Sequence, residues 1–452
     1  MKITDDQAFP SAAIRVIERL NAHNYDAFFV GGCVRDFLMD RPTHDYDITT
    51  NALPHQIQEL FHDVCKVVPT GIKHGTLTLW MDDLPIEVTT YRIEKDYIDH
   101  RTPTKIEFID DLILDLSRRD FTINAIAMHP SLGIIDPFQG QTDLKAKVIR
   151  CVGEPKERLE EDALRILRAL RFSATLRFSL DHALFSAIQE LAPLLNFLSK
   201  ERIRDEVNRI LESDQTHLLR FLQELQLLPY LFPSLLPLIH LKQETPWHLF
   251  DVFTHTDIAL DHSLHAPLVQ RLALIYHDCG KALAKTFDAD GIAHFKGHAD
   301  LSAQIAKKEL TVLRYDKKTI ETVTTLIRYH DTYVEPTTAD VRIFLSKINF
   351  DYSLAEHILS VQYADNCAKN PEKAIEKNKN IEIVWQLMQQ MKAAHVRFTM
   401  KELAVNGHDL LAINLKGKQI KEALAAAYEY AIRYPQENTK EKLLSYIQRQ
   451  FS

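Results

Sequence analysis

Glycine is scarce, with 12 residues in 452 against an average of ~7 %, and none lies between Glu154 and Cys279. Tight turns that need a left-handed backbone are therefore few beyond the first third of the chain, and helices should dominate there. Cysteine is rare and unpaired. Cys33, Cys65, Cys151, Cys279 and Cys367 are odd in number, scattered and never spaced as CxxC, which excludes a disulfide framework and a structural zinc knot. No stretch reaches the ~18 apolar residues of a membrane span, and MKITDDQAFP carries acids where a leader would be apolar. The chain is expected in the cytoplasm, with no membrane partner. Nor is there an excess of positive charge: 54 Lys and Arg against 62 Asp and Glu give −8, so a polyanion must be held by local basic patches. What remains is an ordinary globular composition, 46 % hydrophobic and 26 % charged. At ~150 residues per domain, the length suggests about three domains.

From Ala27 to about Gly153, short apolar segments between turn signals (AFFVGG, DYDITT, GTLTLW, PIEVTTY, KIEFI) predict strands, followed by a helix-like RRDFTINAIAMH. From Pro155 the period is 3.6. Leu159, Ala163, Ile166, Leu167 and Leu170 form one stripe, which predicts a long amphipathic helix. The Pro-rich stretch Pro229 to Pro246 marks a boundary. Residues 247 to about 335 are crowded with histidine. Helical patterns return over 340–452, where KNPEKAIEKNKN reads as a solvated loop or a helix end.

Three constellations in the first half carry chemistry. A strand runs into Gly31-Gly32, and Asp45 and Asp47 then alternate along a second strand, so both carboxylates share one face. Adjacent carboxylates repel unless a cation lies between them, and magnesium prefers such oxygens together with substrate phosphates. Glycines upstream let backbone N–H groups approach a triphosphate. Glu87, flanked by Ile86 and Val88, is a candidate third carboxylate or an exposed strand glutamate. SRRDFTINAIA puts Arg118, Arg119 and Asp120 at a helix start, where Arg119 would meet phosphate and Asp120 either a ribose hydroxyl or the helix N-terminus. On the stretch EEDALRILR, Glu161, Asp162, Arg165 and Arg168 lie largely off the apolar stripe. They are surface ion pairs, or an edge in which a carboxylate accepts from an exocyclic amino group while a guanidinium donates to the next ring nitrogen. Cytosine and adenine present that edge; uracil and guanine do not.

A second cluster is independent of the first: His255, His277-Asp278, His298 and His330-Asp331, with Gly280-Lys281 after the central pair. Imidazoles with carboxylates suit a first-row transition metal. The cluster resembles HD-superfamily metal phosphohydrolases, whose motif His255, His277 and Asp278 match best; Asp331, His298 and His330 compete for the last position, the two histidines being open to a second metal. His262 and His265 read as surface residues.

GGCVRD, DYD, IEVTTYR, RRDFTINAIA, DPFQGQTDLKAKVIRCVGEP, EEDALRILRALRF and KERIRDEVNRIL together resemble the class II tRNA nucleotidyltransferases, the CCA-adding enzymes, and their bacterial poly(A) polymerase relatives. ELAVNGHDLL, GKQIKEAL and YPQENTKEKLL resemble the tail of bacterial CCA-adding enzymes. The resemblance implies an α/β polymerase-β-like nucleotidyltransferase head (1–150), then all-α neck and body (151–245), HD (246–340) and body and tail (341–452) regions. It implies magnesium on Asp45 and Asp47, with Glu87 beside them. Gly31, Gly32, Arg35, Arg119, Asp120, Asn124, Glu161 and Arg168 would bind the nucleotide, with Gly31 and Gly32 lining the triphosphate, Asp120 meeting the ribose, and Asp162 and Arg165 selecting the base. The partners implied are tRNA, CTP and ATP. YRIEKDYIDHRTPTKIEFIDDL is similar to the family's full-length flexible loop, with Asp99, Arg101 and Pro103 matching its motif, which favours full CCA addition over A-addition alone. For the HD region it implies phosphohydrolysis with nickel, manganese, cobalt or iron. The alternatives are a poly(A) polymerase, against which stands the lack of a basic C-terminal extension, and an HD-type nucleotide phosphohydrolase or regulatory module.

Overall fold

The computed structural model describes residues 9–43, 45–98, 100 and 102–451, and it divides into two compact units, 1–215 with 221–231, and 216–220 with 232–452. Asp99 and Arg101 of the loop motif lie outside the described residues. No helix among the described residues is long and apolar enough to cross a membrane.

The first unit is built on strands β1 (Ala27–Val30), β2 (Tyr46–Thr50), β3 (Lys66–Gly71), β4 (Thr76–Met81), β5 (Leu84–Thr90), β6 (Arg92–Ile98), β7 (Thr102–Phe108), β8 (Ala127–His129) and β9 (Gly133–Ile135). Seven form one sheet in the order β3-β4-β5-β2-β1-β8-β9, in which β2 and β5 run parallel and the other pairs antiparallel. β1 is apolar at every position because both of its faces are covered, whereas β5 alternates and turns Glu87 outward. Phe28, Val30, Tyr91, Leu116 and Ala127 form a buried cluster in this unit. β6 and β7, flanking the loop motif, pair as a separate hairpin.

Three local expectations change. RRDFTINAIAMH is not helical: a single 3₁₀ turn, Thr122–Asn124, leads into β8, which pairs with β1. An apolar run this short does not separate a buried strand from a helix by period alone. Arg118 to Asp120 accordingly follow the end of helix Leu112–Ser117, and do not start one. The long helix from Pro155 is two, Pro155–Glu161 and Leu164–Leu176, broken at Asp162, whose extended backbone lets its Oδ1 accept from Leu164 N at 3.1 Å.

The second unit is almost wholly helical. Helices Val252–Asp261, Leu268–Tyr276, His298–Val312, Lys317–Tyr329 and Tyr352–Cys367 pack on one another. KNPEKAIEKNKN is no loop but opens the 23-residue helix Pro371–Ala393, with Pro371 at its first position and Asn370 accepting from Glu372 N. Lys373 and Lys377, one turn apart, lie over the Trp247 ring. Helices Gly407–Ala412, Lys418–Arg433 and Lys440–Phe451 close over a core of their own that includes Leu410, Ala423, Ala427, Leu443 and Ile447.

Candidate functional site

In the first unit, register does the assembling. Val30, the last residue of β1, pairs with Asp47, and Asp47 pairs with Glu87 on β5. Gly31 follows with φ +74°, and a Cβ there would stand 3.3 Å from Arg119 Nη1 and 3.4 Å from Asp47 Oδ2. Only glycine meets both demands at that position. Asp45 is exposed just ahead of β2.

These residues border a cavity of about 770 Å³, lined also by Arg35, Arg119, Asp120, Asn124, Asp162, Arg165 and Arg168. Glu87 lies beside Asp47 but outside that lining. Eight arginines face the cavity in all. Arg118 was placed by sequence reasoning but given no role, and Arg92, Arg171 and Arg202 were missed. Arg171 was within reach, because Arg165, Arg168 and Arg171 repeat at helical spacing. Arg202 lies in KERIRDEVNRIL on helix Lys200–Leu211, a segment that carries the family resemblance but no spacing that ties it to the head.

Asp120 does not stand free for a sugar. Its Oδ2 accepts from Arg168 Nε at 2.7 Å, and its Oδ1 from Phe121 N at 2.8 Å and Asn124 Nδ2 at 3.1 Å; Arg35 Nη1 in turn donates to Asn124 Oδ1 at 2.8 Å. Burial would raise this carboxyl, but Arg168 and Asn124 outweigh it and hold it near 2. Arg165 is similarly engaged, with Glu161 Oε2 and Arg158 O at 2.8 Å and Arg118 O at 3.1 Å. Asp162 lines the cavity at the break, and burial raises its carboxyl. Arg119 Nε is buried without a protein partner, the kind of donor an anionic ligand satisfies.

The Asp47 carboxyl is lifted to about 6, chiefly by burial, with Glu87 and Asp45 adding to the effect and Arg119 opposing it. Its ordinary value is 3.8. Between those values the folded protein holds a proton that the unfolded chain has released, so stability falls as pH rises from about 4 to about 6. The pair of carboxylates and the raised proton affinity fit a site that takes a hard divalent cation. Asp47→Asn is expected to stabilise the metal-free protein above pH 6 by about 2–3 kcal/mol and to have no effect below pH 4. Calorimetric melting at pH 4 and pH 7.5 reads both; a variant that melts lower than wild type at pH 7.5 would refute the account.

The second unit brings together every residue of the histidine cluster. His255 comes from helix Val252–Asp261, His277 and Asp278 follow Leu268–Tyr276, His298 opens His298–Val312, and His330 and Asp331 follow Lys317–Tyr329. Gly280 makes this possible: a Cβ there would lie 2.3 Å from the His298 carbonyl oxygen and 2.8 Å from Ser302 N. The residue that sequence reasoning missed is Asp365, on helix Tyr352–Cys367. Its signal was a carboxylate on the same face as the buried Ile358 and Val361, a position that the apolar stripe would fill.

Asp278 stands between two groups of ligands. Its Oδ2 is 3.2 Å from His277 Nε2 and 3.7 Å from His255 Nε2, while Asp365 Oδ1 is 2.9 Å from His255 Nε2 and 3.6 Å from His277 Nε2. Its Oδ1 is 3.3 Å from His298 Nε2 and 3.7 Å from His330 Nε2. Asp331, exposed, joins His298 and His330 within 4.8 Å.

The tautomers follow from the backbone. The Nδ1 of His255, His277, His298 and His330 lies 3.2, 2.7, 2.8 and 2.6 Å from the carbonyl oxygens of Ala368, Leu274, Phe295 and Ile327. A carbonyl only accepts, so each Nδ1 donates, and in the neutral ring each Nε2 presents a lone pair. Lone pairs then face carboxylate oxygens, and His298 Nε2 faces His330 Nε2 at 3.2 Å. Such an arrangement repels itself unless a proton or a metal cation sits among these atoms, in addition to the ammonium groups that Lys281 and Lys369 set 2.7 Å from Asp278 Oδ2 and 2.6 Å from Asp365 Oδ2. Burial alone would lower the His277 imidazolium, yet Asp278 and Asp365 override it and lift it to about 10, another sign of the positive charge this site demands. The donor set of imidazoles and carboxylates suits transition metals, with Asp278 shared between two positions.

This cluster opens on a cavity of about 580 Å³ lined by Lys281, Lys296, Arg328 and Lys369. Lys281 Nζ is buried, 2.7 Å from Asp278 Oδ2 and 2.8 Å from Gln243 Oε1. His262 and His265 are exposed, as expected.

Comparison with known proteins finds relatives for stretches of both units. Residues 27–150 match the family model for the poly(A) polymerase head domain, 177–239 that for the RNA- and SrmB-binding site of polymerase A, and 288–447 that for tRNA nucleotidyltransferase domain 2. The CCA-adding enzyme of Staphylococcus saprophyticus is 34 % identical over 420 residues, 92 % of each chain. That of Lactobacillus delbrueckii subsp. bulgaricus is 48 % identical over 194 residues, 43 % of this chain and 48 % of the relative. The crystal structure of the Bacillus stearothermophilus CCA-adding enzyme in complex with CTP superposes with a TM-score of 0.65 at 28 % identity, covering 97 % of this chain and 96 % of that one. With a nucleotidyltransferase head around paired aspartates and a relative aligned over nine-tenths of both lengths, the chain belongs to the CCA-adding enzyme family.

Proposed function

We propose that the head cavity adds CCA to tRNA 3′ ends from CTP and ATP, and that the histidine-rich centre is a separate phosphohydrolase, in a protein that works in the cytoplasm. The observation that carries the first part is Asp47, set by strand register between Val30, just ahead of Gly31, and Glu87, in a cavity lined by arginines. Nucleotidyltransferases of this class use divalent metals such as magnesium. Asp45 and Asp47 would hold that ion, which supplies Lewis-acid activation of the attacking hydroxyl and charge neutralisation of the leaving group. Gly31 keeps the backbone open to the triphosphate. Arg119, Arg35 and Arg168 neutralise the phosphates, Asp120 and Asn124 holding the last two in place. The 3′-oxygen of the tRNA bonds to the α-phosphorus, the bridging P–O bond to the β-phosphate breaks, pyrophosphate departs, and the hydroxyl proton passes to solvent.

Asp162 accepts from the exocyclic amino group of cytosine or adenine, and Arg165, locked by Glu161, holds that edge of the cavity rigid. The test is incubation of a tRNA lacking its CCA with CTP and ATP, which should yield a product three nucleotides longer. One added adenosine from a CC-ended primer alone would mean A-addition only, and long untemplated tails on any RNA a poly(A) polymerase. In the same assay Asp162→Ala should raise misincorporation of UTP and GTP by about ten- to a hundredfold, since one base contact is worth roughly 1–3 kcal/mol of discrimination. Unchanged selectivity would reduce Asp162 to a turn residue.

The second part rests on the lone pairs of four imidazoles converging around Asp278 and Asp365. His255, His277, Asp278 and Asp365 would hold one metal; Asp278, His298, His330 and Asp331 would hold the other, as nickel, manganese, cobalt or iron. Metals of this kind activate water for attack on phosphorus. The water oxygen bonds to phosphorus, the ester P–O bond breaks, and the water's proton goes to the departing oxygen. Within this reading the chain runs as head 1–150, neck and body 151–245, HD region 246–340 and body and tail 341–452, the last lending Asp365 to the metal centre.

A further inference from the structure

Arg328, in the last turn of helix Lys317–Tyr329, lines the metal-centre cavity and also a second cavity of about 700 Å³. Lys347 and Arg397 line the second cavity beside it. Both are exposed and enter no ion pair among the described residues, and Arg328 has only a loose contact, 3.5 Å, with Asp300. One carboxylate stands among the lining residues, Asp351, whose Oδ1 accepts from Leu354 N at 2.9 Å as the cap of helix Tyr352–Cys367. Three cationic groups against one carboxylate leave the concavity with an excess of positive charge that favours an anion.

The backbone at this cavity is unusual as well. Asn349 and Phe350 hold φ of +54° and +55° in succession, a conformation that non-glycine residues seldom adopt and an aromatic one least of all. The reversal joins helix Thr338–Lys347 to helix Tyr352–Cys367 so tightly that Lys347 through Asp351 all line the cavity. A third cavity shares His330, Asp331 and Lys369 with the metal centre, and Tyr333, 58 % exposed, lines it. An exposed ring at that place is a stacking surface for a base.

We propose that the cavity of Arg328, Lys347 and Arg397 is a phosphate subsite of the metal centre. The hydrolase substrate is then a phosphate ester at the end of a nucleic acid strand, whose further phosphates occupy the basic cavity. This rests on the hydrolase reading of the metal centre and extends it from a reaction to a substrate class. Inorganic polyphosphate offers the same anionic repeat without bases, and Tyr333 distinguishes the two.

The test uses the full-length protein loaded with manganese and three substrates: p-nitrophenyl phosphate, inorganic tripolyphosphate, and a single-stranded oligoribonucleotide ending in a 3′-phosphate. Wild type should favour the oligonucleotide at least tenfold in kcat/KM over either small substrate. Lys347→Ala with Arg397→Ala should erase most of that preference, through KM, and make oligonucleotide turnover less sensitive to salt. Tyr333→Ala should weaken the oligonucleotide reaction and spare tripolyphosphate. A double variant that melts like wild type and keeps the full preference would overturn the subsite while leaving the hydrolase reading intact. Tripolyphosphate turned over as well as the oligonucleotide would overturn the assignment to nucleic acid. Absence of hydrolysis with all three substrates would sink the hydrolase reading, and this proposal with it.

Discussion

Asp45→Ala and Asp47→Ala are each expected to lower incorporation of both CTP and ATP by about three orders of magnitude or more, which is ~4 kcal/mol of lost transition-state stabilisation. Both nucleotides should suffer equally, because the paired carboxylates serve the phosphates and have no part in reading the base. The loss should fall on kcat with tRNA affinity little changed, since neither residue is core. Asp45 is exposed, and Asp47 is a partly buried charge at the cavity rim. Single-turnover incorporation, with filter binding of tRNA in parallel, separates the two effects. If either variant retained turnover within tenfold of wild type, magnesium would not be held by this pair.

The second large effect concerns metal stoichiometry in the other unit. Removing Asp365 should cost one bound metal, removing His298 the other, and removing Asp278, whose two oxygens face both groups, should cost both. Elemental analysis of the purified variants should therefore give one, one and none against two in the wild type, with phosphoester hydrolysis reduced about a thousandfold in His277→Ala with Asp278→Ala. That double variant should still add CCA at a similar rate. Lys281 would be left buried beside the gap, which costs stability, so circular dichroism and melting must accompany the assay. Loss of CCA addition with hydrolysis retained would reverse the assignment of chemistry to the two sites.

How much of this was readable beforehand depended on the distance along the chain over which each feature is encoded. Gly31, Asp45 and Asp47 lie within two strands and a turn, and their alternation maps directly onto one face. The strand β8 was misread because four or five apolar residues buried on all sides carry no period. The break at Asp162 was hidden for the opposite reason: the stripe through Leu159, Ala163, Ile166 and Leu170 continues across it, and the hydrogen bond from Leu164 N that rewards the interruption leaves no trace in hydrophobicity. Asp365 is over a hundred residues from His255 and meets it only through the packing of two helices, so its carboxylate was legible as an anomaly on a buried face but not as a ligand.

The four carbonyl tethers on the imidazoles have a further effect, on time and on entropy. A histidine that must stop rotating to bind a metal loses rotamer freedom worth about 0.5–1.5 kcal/mol, and here that loss is met during folding, before any ion arrives. Because the same tethers would keep a ring from swinging away to release a bound ion, dissociation would await a local opening of the helices that carry the ligands. The centre should therefore exchange its metals on the timescale of backbone breathing rather than of side-chain motion, and keep through purification whatever ions it acquired as it folded.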